Sequence, residues 1–304
     1  MSYLALAVPS MASPVHTGMV PPNSAVAACT LDDLIANTFA ITMFNSSRTQ
    51  PVRERFLKEG IALRFIPGVN GTEMSMDEVH ANQKMRLSTL IDQCKQYSAG
   101  KDNCDNINLD GFKAADLGCS MAHRNIFEEV SVNDVPCALV IEDDTIPVPH
   151  FKKKLQSLLS QLPPDFGTLP DTVKLDNTFE VLDAGGGHKI AGCAHGPPPL
   201  KQNNITLAEG PGICTSGYIL SKKAAAAYRT LQSPLWLGAD QIFNANFVQV
   251  VLGPLGLIPR VFHSVPQLVW QDPDIPSLLG HDIPKDKIPP NPPLPPLPSP
   301  PPSL

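Results

Sequence analysis

Glu142, Asp143 and Asp144 stand in a row directly after the apolar run Cys137-Ala-Leu-Val-Ile141. Three adjacent carboxylates repel one another, and no Lys or Arg lies close in the sequence to neutralise them. A hard divalent cation, which takes oxygen ligands, would offset that repulsion. Side chains alternate along an extended strand, so Glu142 and Asp144 are expected on one side and Asp143 on the other. Two acids would then face a metal while the third takes a hydroxyl or a backbone amide. The triplet reads equally as a solvated turn ending a strand, and spacing alone does not choose.

The run before the acids has no polar alternation, as in a strand buried on both faces of a parallel sheet. Thr38 to Phe44 is β-branched and aromatic and predicts a strand. Thr49 to Gly60, with Pro in the first turn and Gly at the end, predicts a short helix. Ile61 to Ile66 is a second short strand, closed by the turn Pro67-Gly-Val-Asn-Gly71. A polar helix is expected over Met76 to Tyr97. Lys113 to Val130 carries Leu117, Met121, Ile126 and Phe127 at the spacing of an amphipathic helix. Phe151 to Leu162 reads as helical. Gly217 to Ser221 reads as a strand leading into a helix from Lys222 to Leu231. Alternating β and α elements predict an α/β fold around a mostly parallel sheet flanked by helices. In such sheets ligands bind beyond the carboxyl ends of the strands, where the acids stand.

The chain has 304 residues, of which 42% are hydrophobic and 17% charged, and suits one domain over residues 38–288. Residues 1–37 are expected to be a mobile arm. Residues 289–304 are proline-rich and predict an extended polyproline-II tail, a spacer or a ligand for a proline-reading domain such as SH3. The formal net charge of -6 gives no reason to expect DNA or RNA as partner. Lys152-Lys-Lys154 reads as a solvated helix face. No apolar run approaches the ~20 residues that cross a bilayer, and no basic start precedes Tyr3 to Val8 as in a secretory leader.

The seven cysteines form no CxxC pair, so a structural zinc site is not expected. Cys119 and Cys137 sit in apolar segments and read as buried thiols. That points to a reducing, cytoplasmic setting, with the secretory lumen left open. Asp183-Ala-Gly-Gly-Gly-His-Lys189, continuing to Gly196-Pro-Pro-Pro-Leu200, lacks the GKS/T ending of a phosphate loop. It reads as a mobile loop, a candidate lid.

Several segments in order resemble glycosyltransferase family 25, which includes bacterial lipooligosaccharide and collagen galactosyltransferases. They are the strand Ala40-Ile-Thr-Met-Phe44 and the helix start Arg53-Glu-Arg-Phe56. Then come the turn Arg64-Phe-Ile-Pro-Gly-Val-Asn-Gly71 and the helix Leu117-Gly-Cys-Ser-Met-Ala-His123, similar to the family's G-C-x-x-S-H. Ala138-Leu-Val-Ile-Glu-Asp-Asp-Thr145 resembles its E-D-D motif. Thr215-Ser-Gly-Tyr-Ile-Leu-Ser221 and Gly238-Ala-Asp-Gln241 complete the set. The chain departs from the pattern at Thr42, where the family has Asn, at Phe44 for Asp, and at Ala122 for Ser.

The resemblance implies a GT-A-like fold, a UDP-sugar donor (often UDP-galactose), manganese or another divalent cation, and inversion at the anomeric carbon. The acceptor would be a hydroxyl of a glycan or glycoprotein. Glu142 and Asp144 would hold the metal, which stabilises charge on the departing diphosphate. Asp143, Arg53, His123 and Tyr218 would contact the donor, with Arg53 and Arg55 both within reach of the diphosphate because guanidinium suits phosphate oxygens, and a solvated helix face expected for at least one of the two. Asp240 would be the general base, with helix capping as its other reading. Two rival classes share these residues: a non-catalytic member that binds sugar or protein, and a metal-dependent phosphohydrolase.

Overall fold

A computed structural model of the chain describes residues 29–43, 46–71, 75–77, 79–85, 114–176, 178–182, 188–193, 205–209, 214–233, 235, 238–243, 259–272 and 274. Its strands are β1 (Thr38–Thr42), β2 (Arg64–Pro67), β3 (Cys137–Glu142), β4 (Thr145–Pro147), β5 (Asp171–Lys174), β6 (Thr178–Leu182), β7 (His188–Cys193), β8 (Thr206–Glu209), β9 (Gly217–Ser221), β10 (Arg260–Val265) and β11 (Val269–Gln271). Among the described residues its helices include α1 (Leu31–Ala36), α2 (Thr49–Lys58), α3 (Ala114–Val132), α4 (Phe151–Leu159) and α5 (Lys222–Leu231), with a 3₁₀ turn at Ala239–Phe243, and residues 76–77 and 79–85 are helical as well. The expected α/β architecture is present. A seven-stranded sheet runs in the order β2-β1-β3-β9-β5-β10-β8, and only β9 and β8 oppose the direction of the rest.

The absence of alternation in β3 follows from burial on both faces. Cys137, Leu139 and Ile141 point into one core with Val52 and Phe56 of α2 and Phe151, Leu155 and Leu158 of α4. Ala138 and Val140 point into the other, with Ile126, Phe127 and Val130 of α3 and Tyr228 and Leu231 of α5. Each face of the strand meets helices, so both parities must be apolar. Because β1, β3, β5 and β10 run together and β9 against them, the carboxyl ends of the first four share an edge with the start of β9. Thr42, Glu142, Lys174 and Thr215 all belong to that edge.

Gly118 sets how closely α3 approaches it. A Cβ at this position would collide with the Val69 carbonyl oxygen and lie 2.7 Å from the Gly71 nitrogen. Only glycine lets the helix rest on the turn after β2.

The structure corrects several expectations. Residues 31–36, read as part of a mobile arm, form α1. Thr30 and Asp33 close a capping box at its start, with Asp33 N donating to Thr30 Oγ1 at 3.1 Å and Thr30 N to Asp33 Oδ2 at 2.9 Å. Leu34 is fully buried. Cys137 is not a thiol: it is bonded to Cys29, 108 residues away, which ties α1 to β3. Cys214 is also disulfide-bonded. Cys119 keeps its thiol but is partly exposed rather than buried. The expectation of a reducing compartment therefore loses its premise. Residues 188–193 of the glycine-rich stretch are a strand paired with β6, whereas 183–187 and 194–200 lie outside the described residues. So do the predicted helix beyond residue 85, the first 28 residues and the proline-rich tail.

Candidate active site

β3 ends at Glu142, and Asp143 and Asp144 form a turn before β4. The turn is held from three sides. Glu142 N donates to Ser216 O at 3.1 Å, and Thr145 Oγ1 donates to the same oxygen at 2.7 Å. Asp272 N, just past β11, donates to Asp144 O at 2.7 Å. Arg55 of α2 clamps this arrangement by an ion pair with Asp272 and a 3.4 Å hydrogen bond to Thr145 O. Strand alternation governs Glu142 but stops there, because Asp143 and Asp144 lie in the turn.

Glu142 keeps the parity of Ala138 and Val140 and points toward α3. His123 lies on the same helical stripe as Ile126, Phe127 and Val130, which turns its ring to the sheet. Its Nε2 is 3.2 Å from Glu142 Oε1, and its Nδ1 is 2.8 Å from the Tyr218 hydroxyl. Thr215 Oγ1 also donates to Glu142 Oε1. Burial alone would raise the Glu142 pKa, but the hydrogen bond and charge of His123, the Thr215 hydroxyl and the charge of Lys174 outweigh it and leave it lowered. Tyr218 is fully buried, and burial followed by the charge of Glu142 pushes its pKa well above the ordinary phenol value.

Asp143 turns to the end of β1. Thr42 Oγ1 donates to its Oδ2 at 3.0 Å, Ser46 Oγ at 3.4 Å, and Arg48 Nη1 to its Oδ1 at 3.3 Å. Arg48, just before α2, thus supplies the cation that the sequence near the acids lacks, which corrects the reading of an unneutralised triplet. Burial still raises the Asp143 pKa against Arg48 and Thr42.

Asp144 is the acid left over. Its Oδ1 is buried without a hydrogen-bond partner. Burial, then the charges of Glu142 and Asp143, push its pKa up to about 8. An orphaned, buried carboxylate oxygen beside two further acids fits a divalent cation, which would supply the missing partner and relieve the repulsion.

Tyr218 packs at this edge with its ring against Phe243 at a centroid distance of 4.8 Å. Asp240 lies in the 3₁₀ turn that carries Phe243. Arg53 is exposed on α2, over the Phe65 ring at 4.8 Å and bonded to Gln50. None of its described contacts reaches the acids, whereas Arg48 pairs with Asp143 and Arg55 holds the turn through Thr145 O and Asp272. Sequence reasoning also missed Thr215, which fell within a recognised segment without a role. It missed the fully buried Lys174, whose Nζ donates to Cys214 O and lies 3.0 Å from Asp176 Oδ1. That contact is an ion pair by distance only, because neither Asp176 oxygen has a hydrogen-bond partner. A lysine inside a strand of only four residues carries no period that would reveal it.

A family model described as "Glycosyltransferase family 25 (LPS biosynthesis protein)" matches residues 35–242. That stretch runs from α1 through β9 and α5 to the 3₁₀ turn, and includes every residue of the acidic site named above except Asp272 and Phe243. The chain is also similar to "Procollagen galactosyltransferase 1" of Danio rerio, with 28% identity over 126 residues. The matched stretch covers 40% of this chain and 19% of that relative's length.

Proposed function

Since the chain belongs to glycosyltransferase family 25, we propose that it transfers a hexose, galactose in the first instance, from a UDP-sugar to a hydroxyl of a glycan or glycoprotein. The observation that carries this reading is the orphaned Asp144 Oδ1 at the carboxyl edge of the sheet, next to Glu142. A manganese or similar ion held there supplies charge stabilisation for the departing diphosphate. Asp143, held by Thr42, Ser46 and Arg48, keeps Arg48 beside the cluster, where a guanidinium suits phosphate oxygens. His123 fixes the Glu142 carboxylate between itself and Thr215, while Tyr218 holds the other nitrogen of the imidazole.

Asp240 is the proposed general base. The acceptor oxygen attacks the anomeric carbon from the face opposite the leaving group. The carbon–oxygen bond to the β-phosphate breaks, UDP leaves with the bonding pair, and the acceptor proton goes to the Asp240 carboxylate, with inversion. The similarity to a procollagen galactosyltransferase supports galactose as the sugar, and the disulfide-bonded Cys29, Cys137 and Cys214 favour an oxidising compartment.

The test is UDP release from a panel of UDP-sugars, with and without manganese, for the wild type and Asp144→Asn. Manganese-dependent release from one donor, lost in the variant, is the expected result. A folded protein that releases UDP from none of them refutes the transferase reading and leaves a sugar- or protein-binding module.

A further inference from the structure

Cys119 stands one helical turn before His123 on α3, so thiol and imidazole project from the same side of the helix toward Glu142. One ligand atom from each of Cys119, His123 and Glu142 lies within 4.8 Å of the others. We propose that these three residues form a second cation site, for a borderline-soft ion such as zinc, distinct in ligand chemistry from the all-carboxylate centre and sharing Glu142 with it.

The donor set decides the ion. Thiolate and imidazole favour zinc over manganese or magnesium, which prefer carboxylate, carbonyl and water. The imidazole and carboxylate of the set already stand at a fitting distance. His123 Nε2 and Glu142 Oε1 are 3.2 Å apart. Two ligands at about 2.0–2.1 Å from a tetrahedral zinc stand roughly 3.3 Å apart. The other ring nitrogen of His123 already faces the Tyr218 hydroxyl at 2.8 Å, and the Glu142 carboxylate accepts from Thr215. Such outer partners fix the ring and the carboxylate in the orientation a metal needs. The site is reachable, since Cys119 is partly exposed and the Glu142 side chain is 18% exposed, although His123 is fully buried. Three protein ligands leave one tetrahedral position for water. On binding, the Cys119 thiol gives its proton to solvent and its sulfur pair to the ion. His123 binds as neutral imidazole through Nε2, with its remaining proton on Nδ1 donated to the Tyr218 oxygen.

This assignment stands on geometry whether or not the chain is a transferase, but its consequence rests on the transferase reading. Zinc on Cys119, His123 and Glu142 takes Glu142 from the hard-cation centre, so zinc inhibits transfer. The full chain with its disulfides intact, titrated with cobalt(II) as a zinc probe, tests the site directly. The wild type is expected to show tetrahedral cobalt bands and a thiolate-to-cobalt charge-transfer band, both displaced by zinc. Cys119→Ser should lose the charge-transfer band and bind zinc about 100-fold more weakly or worse, since even an outer partner is worth roughly 10–100-fold in affinity. Glu142→Gln, which keeps the thiol, should also weaken zinc. A charge-transfer band that is absent in the wild type, or unchanged in Cys119→Ser, overturns the site. In transfer assays zinc should inhibit the wild type in competition with manganese and spare Cys119→Ser. Zinc that binds without inhibiting overturns the consequence. A cobalt signature in a protein that transfers no sugar refutes the transferase reading alone.

Discussion

Thr42 Oγ1 donates to Asp143 Oδ2 at 3.0 Å across 101 residues of sequence. Thr42 closes β1, and its hydroxyl is given to an acid of the site. It places a donor at the end of β1, and Asp143 gains a fixed orientation from it. Thr42→Val keeps the shape and removes the bond, leaving a buried carboxylate less well held. Stability should fall by about 1–3 kcal/mol, the usual cost of a buried group left unsatisfied. Urea titration measures it, and an unchanged midpoint would show that Ser46 and Arg48 suffice.

Asp144 makes the metal-free protein pH-sensitive. Its carboxyl titrates at about 8 when folded against an ordinary value of 3.8. Between those values the folded state holds a proton that the unfolded state has released, so stability from this group falls as pH rises across the window. With chelator present, the wild type should lose melting temperature from pH 5 to pH 8 by more than Asp144→Asn does. Manganese held by Asp144, as proposed, would displace that proton, so its affinity should climb with pH up to about 8. Equal pH slopes in the two proteins would show that Asp144 is ionised throughout.

Gly118→Ala sets two effects against each other. Alanine in a helix interior is ordinarily worth about 0.5–1 kcal/mol over glycine. Here its methyl would meet the Val69 carbonyl and the Gly71 nitrogen, and overpacking costs roughly 1–3 kcal/mol. The collision wins, so thermal unfolding should show a destabilised variant. A gain in melting temperature would mean that the turn at 68–71 yields freely.

Tyr218 and His123 act as a pair at one end of a chain that reaches Glu142. Tyr218→Phe leaves the His123 Nδ1 without its 2.8 Å partner in a fully buried setting. Residues in one hydrogen-bond network couple by about 0.5–3 kcal/mol. A double-mutant cycle with His123→Gln, followed by denaturant unfolding, should therefore be non-additive. Additive losses would break the chain at that link.

The Cys29–Cys137 bond closes a long loop, 108 residues in sequence separation. Removing such a cross-link frees the unfolded chain and costs typically about 2–4 kcal/mol. Cys29→Ser should melt at a lower temperature than the wild type, and reductant should lower the wild type but affect the variant less. No difference between them would show α1 to be held by Leu34 and its cap alone.

Local order was legible in the residues themselves. β9 and α5 fall where the sequence predicts them, Gly217–Ser221 and Lys222–Leu231, because strand propensity, the Ser221 cap and the run of alanines are all properties of near neighbours. The acidic strand end and the burial of β3 on both faces were legible for the same reason. The His123 position was found by its place in a motif, and its helical stripe explains why the ring turns inward.

The partners of the acids were not legible, because each arrives from another strand or helix. Arg48 reaches Asp143 from 95 residues away, Thr215 reaches Glu142 from 73, and Cys29 joins Cys137 across 108. Alternation placed Glu142 but could not place Asp144, since the strand ends before it and a turn has no period of two. Sequence by itself determined the strands β1, β2, β3 and β9, the helices α2 to α5 and where the carboxylates gather, because these depend on spacing along the chain, whereas α1 and the remaining strands were not read from it. Only the tertiary structure decided which acid is paired and which is left open, because that depends on which strand ends the sheet register brings side by side.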